Sequence, residues 1–182
     1  MTAPLDNSPA GDAPREPKSA RRAGAHAFGF DLNGGGRLEL ADCAGGPILI
    51  VNAASRCGFT GQYEGLVRLH KRYGDRGLTV LAVPSNDFAD QEPEDDEAIR
   101  YFCQSEYDVE FPIAAKVHVT GPEAHPFYRW IKQEAGFFGR RPWWNFHKYL
   151  IGPDGRFVDW FAPLTKPEDP KLVRAIEGLL PW

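Results

Sequence analysis

Two short apolar runs, separated by a stretch with helical spacing, constrain the fold of this chain more than any other feature. The runs cover residues 47–52 and 78–83, and both are continuous rather than alternating, which is typical of strands covered on both faces. Between them, large apolar side chains recur every three or four residues, at Phe59, Tyr63, Leu66, Leu69 and Tyr73. The pattern predicts a strand, a helix and a parallel strand at the centre of an α/β fold.

The segments on either side complete the predicted architecture. Apolar residues alternate from Phe28 to Leu32 and again at Leu38 and Leu40, with a glycine-rich turn between them, which predicts an N-terminal β-hairpin. Further patterns predict helices from Pro93, over 124–134 and from Pro167, and strands over 146–151 and 157–161. This order indicates a central mixed β-sheet flanked by helices.

Length and composition predict one folded domain with a tail. The chain has 182 residues, 42% of them hydrophobic, which is enough for one core. Residues 1–24 are rich in Ala, Pro, Asp, Ser and Arg, with Leu5 as the one large aliphatic residue, so they are expected to be disordered. Residues 25–182 are expected to form the domain.

Charge and cysteine content exclude several classes of function. A net charge of −4 does not provide the basic field that nucleic-acid binding needs. No apolar run approaches the roughly 20 residues that cross a bilayer, so no membrane partner is expected. Three cysteines, an odd number, do not suggest an extracellular disulfide framework, and the cytoplasm is the expected location.

Cys57 follows the first predicted strand and precedes the first predicted helix. Unpaired amide groups at a helix N-terminus stabilise a thiolate, which is the form of cysteine that attacks an oxidant. A cysteine can also pack as a small apolar side chain. Polar Ser55 and Arg56, with Gly58 on the other side, favour the reactive thiol.

Three motifs resemble those of the glutathione peroxidase family, with cysteine in place of selenocysteine. They are Asn52-Ala-Ala-Ser-Arg-Cys-Gly-Phe-Thr60, then Pro84-Ser-Asn-Asp-Phe88 with Gln91-Glu-Pro93, and finally Trp144-Asn-Phe146. The resemblance covers about residues 26–180. It implies a thioredoxin-like fold and the reduction of hydrogen peroxide and organic hydroperoxides, with no cofactor and a sulfenic acid intermediate.

The resemblance also implies roles for individual side chains. Cys57 matches the peroxidatic cysteine, and Trp144 and Asn145 match the indole and the amide beside it. Asp87 stands where many relatives have glutamine, and a carboxylate there would oppose a thiolate. We therefore expect Asp87 to be protonated or turned aside, and if protonated it could donate a proton to the leaving hydroxide. Asn86 is the next candidate for a polar contact.

The fate of the sulfenic acid is less constrained. Cys103, in the helix after the second motif, is a candidate resolving cysteine or a core residue, and the pattern offers Cys43 no role. The resemblance implies a monomer that uses thioredoxin as reductant, with glutathione as the alternative. Arg140 and Arg141 could bind a glutathione carboxylate or simply be solvated.

Other classes of function fit the residues less well. A disulfide reductase needs Cys-x-x-Cys, and Thr60 occupies the second position. A peroxiredoxin would carry Thr or Ser where Ala54 stands. Three histidines (His118, His125, His147) lie on separate elements without the spacing of metal ligands, so no metal site is expected. A non-enzymatic redox sensor or relay, which would need the same reactive thiol, stays open as the alternative function.

Overall fold

The computed structural model describes residues 24–181 of the chain. The predicted disordered tail therefore lies outside the described residues, except for Gly24. Gly24 is buried in a 3-10 turn, Gly24–Ala27, and has a φ of 61°, which a glycine adopts without strain.

In the described part of the chain, six strands form a hairpin and a four-stranded sheet, as the sequence predicts. The hairpin consists of β1 (Gly29–Asp31) and β2 (Arg37–Glu39), which pair antiparallel. The sheet has the order β4-β3-β5-β6, in which β3 and β4 are parallel while β5 and β6 each run antiparallel to their neighbours. Its strands are β3 (Ile48–Ala53), β4 (Thr79–Pro84), β5 (Lys148–Ile151) and β6 (Phe157–Phe161). The mixed sheet and the N-terminal hairpin are confirmed.

Within residues 24–181, five α-helices accompany the sheet. They are α1 (Gln62–Tyr73), α2 (Asp96–Tyr107), α3 (Pro126–Glu134), α4 (Gly136–Gly139) and α5 (Pro170–Glu177). Two begin three residues later than predicted, because the side chains of Asp95 and Asp169 accept hydrogen bonds from backbone amides and cap the first turns. The sequence pattern did not reveal the four-residue α4. Within residues 24–181, no helix is long and apolar enough to cross a membrane.

The central strand β3 is buried on both faces because alternate residues join two hydrophobic clusters. Leu49 and Val51 belong to the cluster that includes side chains of α1, α2 and α5, together with Cys57. Ile48 and Ile50 belong to the cluster formed with the hairpin and α3. This double cover explains why the strand reads as an uninterrupted apolar run. The chain leaves the carboxyl end of β3 directly toward Cys57.

Candidate active site

Cys57 lies in a series of tight turns between β3 and α1. The sequence predicted that Cys57 lies in the first turn of the helix, but α1 begins at Gln62, five residues after Cys57. The Thr60 hydroxyl accounts for the difference, because its one proton can be donated to the carbonyl group of Ala54 (2.9 Å) or of Cys57 (2.7 Å), and its oxygen accepts from the Cys57 amide (3.1 Å). These bonds hold the chain in turns before the helix starts.

The Cys57 thiol is unpaired and nearly covered. The residue is 9% exposed, and the amide of Phe59 donates to Sγ at 3.4 Å. An N–H group directed at sulfur stabilises negative charge on it. The sulfur therefore has a backbone donor in a residue that is almost entirely covered.

Asn52, near the end of β3, holds the third motif beside this loop. Its side-chain amide donates to the Trp144 carbonyl at 3.0 Å, and its own carbonyl accepts from the Phe146 amide at 2.6 Å. Phe146 has a φ of 65°, and the buried Lys148 Nζ donates to its carbonyl at 2.7 Å. These contacts carry Trp144 and Asn145 past the end of β3, where the Trp144 ring packs against the cluster that contains Cys57.

Gln91 joins the three motifs, and sequence reasoning assigned it no role. Its side-chain oxygen accepts from the fully buried amide of Asn145 at 2.9 Å, and its carbonyl accepts from the Arg56 amide at 3.0 Å. The first bond orients the two amide groups toward each other. The available signal was the motif Gln91-Glu-Pro93, which marks the segment but not the direction of its side chains.

The loop that presents Gln91 is shaped by Asn86. The Asn86 side chain donates to Asp90 Oδ1 at 3.1 Å and accepts from the Glu92 amide at 2.8 Å. Ala89 and Asp90 both have positive φ angles, of 52° and 51°. Asn86, predicted as a candidate polar contact, thus makes its contacts within the loop. The same loop places the Phe88 ring beside the Trp144 ring, with 5.6 Å between the ring centres.

Glu92 is a buried carboxyl group beside the Cys57 loop. It is 0% exposed, and the Ser55 hydroxyl donates to its Oε2 at 2.9 Å. Burial raises the pKa of Glu92 to about 7, although hydrogen bonds from Ser55 act in the opposite direction. The contact ties the segment that carries Cys57 to the segment that carries Gln91.

Asp87 is turned aside, one of the two alternatives that the sequence left open. Its carboxylate accepts from the amides of Val119 (2.7 Å) and Thr120 (2.9 Å), from the Thr120 hydroxyl (3.0 Å), and pairs with His118 Nδ1 (2.7 Å). Burial acts to raise the pKa of Asp87, but these hydrogen bonds outweigh it and hold the pKa below its usual value. These contacts favour the ionised carboxylate over the other alternative, a protonated acid that donates to the leaving group.

Asp87→Asn is expected to change stability rather than chemistry. The rate of Cys57 oxidation by hydrogen peroxide should stay within about threefold of wild type, since no transition-state donor is lost. Unfolding in urea should show a loss of about 1–2 kcal/mol, because an amide replaces a carboxylate that accepts charge-assisted bonds.

The pH dependence of this stability loss follows from the lowered pKa of Asp87 and the raised pKa of His118. The lowered pKa of Asp87 gives stability that is present above its unfolded pKa of about 3.9 and lost as pH falls through the folded value. The hydrogen bond to Asp87 raises the pKa of His118, giving stability that is present below about 6.5 and lost as pH rises through the folded value. The loss caused by Asp87→Asn should therefore be larger at pH 5.5 than at pH 8.5.

Glu123→Gln, which removes an exposed carboxylate near His118, is the matched control. An equal loss at both pH values would contradict the ion pair.

Cys103 is fully buried on α2, in the same hydrophobic cluster as Cys57. Burial raises the pKa of its thiol to about 11, so the thiol keeps its proton at neutral pH. Cys43 is half-buried in the 3-10 turn Leu40–Cys43, and all three cysteines are free.

Within the described range, no group of three or more His, Cys, Asp or Glu side chains is placed to bind a metal ion.

Comparisons with known proteins agree with this geometry. The family profile of glutathione peroxidase matches residues 26–132. A glutathione peroxidase homolog, BsaA, from Halalkalibacterium halodurans is 46% identical over 156 residues, which are 85% of this chain and 98% of that protein. The thioredoxin/glutathione peroxidase BtuE of Escherichia coli is 39% identical over 159 residues, 76% of this chain and 87% of that protein.

A solved structure shows the same fold. The crystal structure of T. cruzi GPX1 superposes with a TM-score of 0.66 at 35% identity, covering 85% of this chain and 97% of the other. The predicted thioredoxin-like fold is thereby confirmed. Sequence family and fold lead to one conclusion: the chain belongs to the glutathione peroxidase family and is a thiol peroxidase.

Proposed function

We propose that Cys57 is the residue that attacks the peroxide, and that hydrogen peroxide and organic hydroperoxides are its substrates. The observation that supports this most strongly is the position of the Cys57 sulfur, which accepts a hydrogen bond from the Phe59 amide. The loop that carries Cys57 is also hydrogen-bonded to the Gln91 carbonyl. The thiolate attacks the terminal peroxide oxygen, so an S–O bond forms as the O–O bond breaks. The sulfur loses two electrons, and the departing oxygen takes a proton and leaves as water or an alcohol.

Trp144, Asn145 and Gln91 supply hydrogen-bond donors for this step. The indole N–H and the side-chain amides are neutral donors, which can stabilise a thiolate and the charge on the departing oxygen without titrating near pH 7. Because Asn145 donates to Gln91, the two amides are held before the substrate arrives. Asp87 takes no part in this proposal.

Cys103 is the proposed resolving thiol. Its sulfur attacks the sulfenic acid of Cys57, so that an S–S bond forms, the S–O bond breaks and water leaves. Cys103 is 0% exposed and its pKa is about 11, so it is a poor nucleophile while α2 is folded. Resolution therefore requires local opening of α2, which would bring the thiol to solvent and to Cys57.

Thioredoxin is the proposed reductant of the resulting disulfide. Its dithiol would reduce the Cys57–Cys103 bond and become a disulfide itself. The name of the E. coli relative, thioredoxin/glutathione peroxidase, supports this choice without excluding glutathione. We further propose a monomer in the reducing cytoplasm, a location supported by three unpaired cysteines.

The reductant is tested by NADPH consumption with hydrogen peroxide, coupled to the thioredoxin system or to the glutathione system. Thioredoxin should support turnover, and Cys103→Ser should lose it while still consuming one equivalent of peroxide in a single turnover. Faster turnover with glutathione would overturn the choice of reductant, and undiminished turnover of Cys103→Ser with thioredoxin would overturn the role of Cys103. Absence of turnover with both systems would favour a redox relay.

A further inference from the structure

The segment just before Trp144 exposes an unusual amount of aromatic surface. Phe137 is 71% exposed, Phe138 67% and Trp143 49%. Within residues 24–181, only three other large hydrophobic side chains are exposed, and they are Tyr101, Val158 and Leu164. Half of the exposed large apolar side chains thus come from seven consecutive residues, and a concentrated patch of this kind marks an interaction site. We call the surface of residues 137–143 the aromatic patch.

The rings of the aromatic patch are exposed because the backbone beneath them is fixed. The buried Tyr149 hydroxyl donates to the Gly139 carbonyl at 2.8 Å, and the Trp143 indole donates to the Phe138 carbonyl at 2.7 Å. Gly139 packs so closely on Trp160 that any side chain there would overlap the ring. These contacts anchor the backbone that carries the exposed rings of Phe137 and Phe138. Their exposure is a built feature of the fold.

Two arginines accompany the rings. The Arg140 guanidinium lies 4.5 Å from the centre of the Phe137 ring, and both Arg140 and Arg141 are exposed. The chain as a whole has a net charge of −4. A local pair of cations beside apolar rings, on an otherwise acidic protein, is complementary to a surface that is apolar beneath and anionic on top.

The size of the aromatic patch favours a lipid surface over a protein partner. The exposed parts of the three rings amount to roughly 400 Å². A stable protein interface buries about 800 Å² on each partner. Insertion of two or three rings at the level of lipid headgroups needs no more area than the patch has. The N-terminal tail is a poor cover, because Leu5 is its one large aliphatic residue.

We propose that the aromatic patch docks the protein on anionic lipid surfaces, with Phe137, Phe138 and Trp143 inserted among the headgroups and Arg140 and Arg141 bound to phosphate groups. The sequence predicted no membrane partner because no run could span a bilayer, but surface docking needs no spanning run. Since Trp143 precedes Trp144, docking would bring the candidate active site close to the lipid. The proposal does not depend on the reductant or on the role of Cys57.

Flotation of the full-length protein with vesicles tests the proposal. The wild type should bind vesicles of phosphatidylcholine with about one third phosphatidylglycerol, bind pure phosphatidylcholine more weakly, and be released by salt. Phe137→Ser with Phe138→Ser should lower partitioning by roughly tenfold or more. Arg140→Gln with Arg141→Gln should lower it by about fivefold per arginine on the anionic vesicles.

Tyr101→Ser is the matched control, because it removes a 73% exposed aromatic ring from α2, outside the aromatic patch. It should leave vesicle binding unchanged. No binding of the wild type, or equal binding of the Phe137/Phe138 variant, would overturn the proposal. It would also be overturned if that variant bound vesicles normally but lost thioredoxin-dependent turnover of hydrogen peroxide, since the patch would then serve a protein partner.

Discussion

Cys57→Ser is expected to abolish hydroperoxide turnover, with a loss of at least about 10³-fold. A serine hydroxyl stays protonated near neutral pH and lacks the nucleophilicity of a thiolate, so the first bond to oxygen does not form. The loss should not reflect unfolding, because the two side chains are similar in size and the Phe59 amide can donate to an oxygen as well as to sulfur. Circular dichroism and urea unfolding would verify that the fold is retained.

Cys43→Ser is the matched control for this prediction. It makes the same chemical change at a half-buried thiol in the turn before β3, outside the candidate site. Turnover of this variant should equal that of the wild type. Retained activity in Cys57→Ser, or an equal loss in both variants, would mean that the reaction does not depend on the thiol at the end of β3.

The second large effect is expected at Gln91. Gln91→Leu keeps a side chain of similar volume but removes the amide that pairs with Asn145, so the rate of Cys57 oxidation should fall by about 10²–10³-fold. The expected cause is the loss of preorganised donors around the sulfur and the departing oxygen. Stopped-flow measurement of the oxidation step, without any reductant, isolates this effect from later steps.

Gln104→Leu provides the control, since Gln104 is an exposed glutamine on α2 whose loss should not affect oxidation. A double variant of Gln91→Leu and Asn145→Ala should be much less than additive, because the two amides act as a hydrogen-bonded unit. Additive effects, or a Gln91→Leu rate equal to that of Gln104→Leu, would contradict a joint role.

Much of the fold could be predicted because its elements follow simple periodicities. The double burial of β3 produces a continuous apolar run, and the strand at 157–161 was predicted with its observed bounds. The start of α1 was placed too early because apolar spacing continues back to Phe59, while the Thr60 hydroxyl holds those residues in turns. Such side-chain bonds compete with the helix and do not appear in a hydrophobic pattern.

The candidate site was predicted in part. Cys57 and the Trp144-Asn145 pair were predicted through their motifs, and Asn52 connects the two segments by a hydrogen bond. Gln91 was missed because the loop that orients it contains residues with positive φ, and side-chain direction there cannot be read from periodicity. A catalytic role for Asp87 was a hypothesis from its place in the second motif, and the pattern did not reveal that its carboxylate accepts hydrogen bonds from the amides of residues 119 and 120.

The most direct test identifies the first sulfur to be oxidised. The reduced protein would be treated with one equivalent of hydrogen peroxide in the presence of a sulfenic acid trap, and the modified cysteine located by mass spectrometry. We expect the label on Cys57, with Cys43 and Cys103 unmodified at early times. A label that appears first on Cys103 or Cys43, or peroxide consumed with neither a label nor a disulfide at Cys57, would contradict Cys57 as the peroxidatic residue.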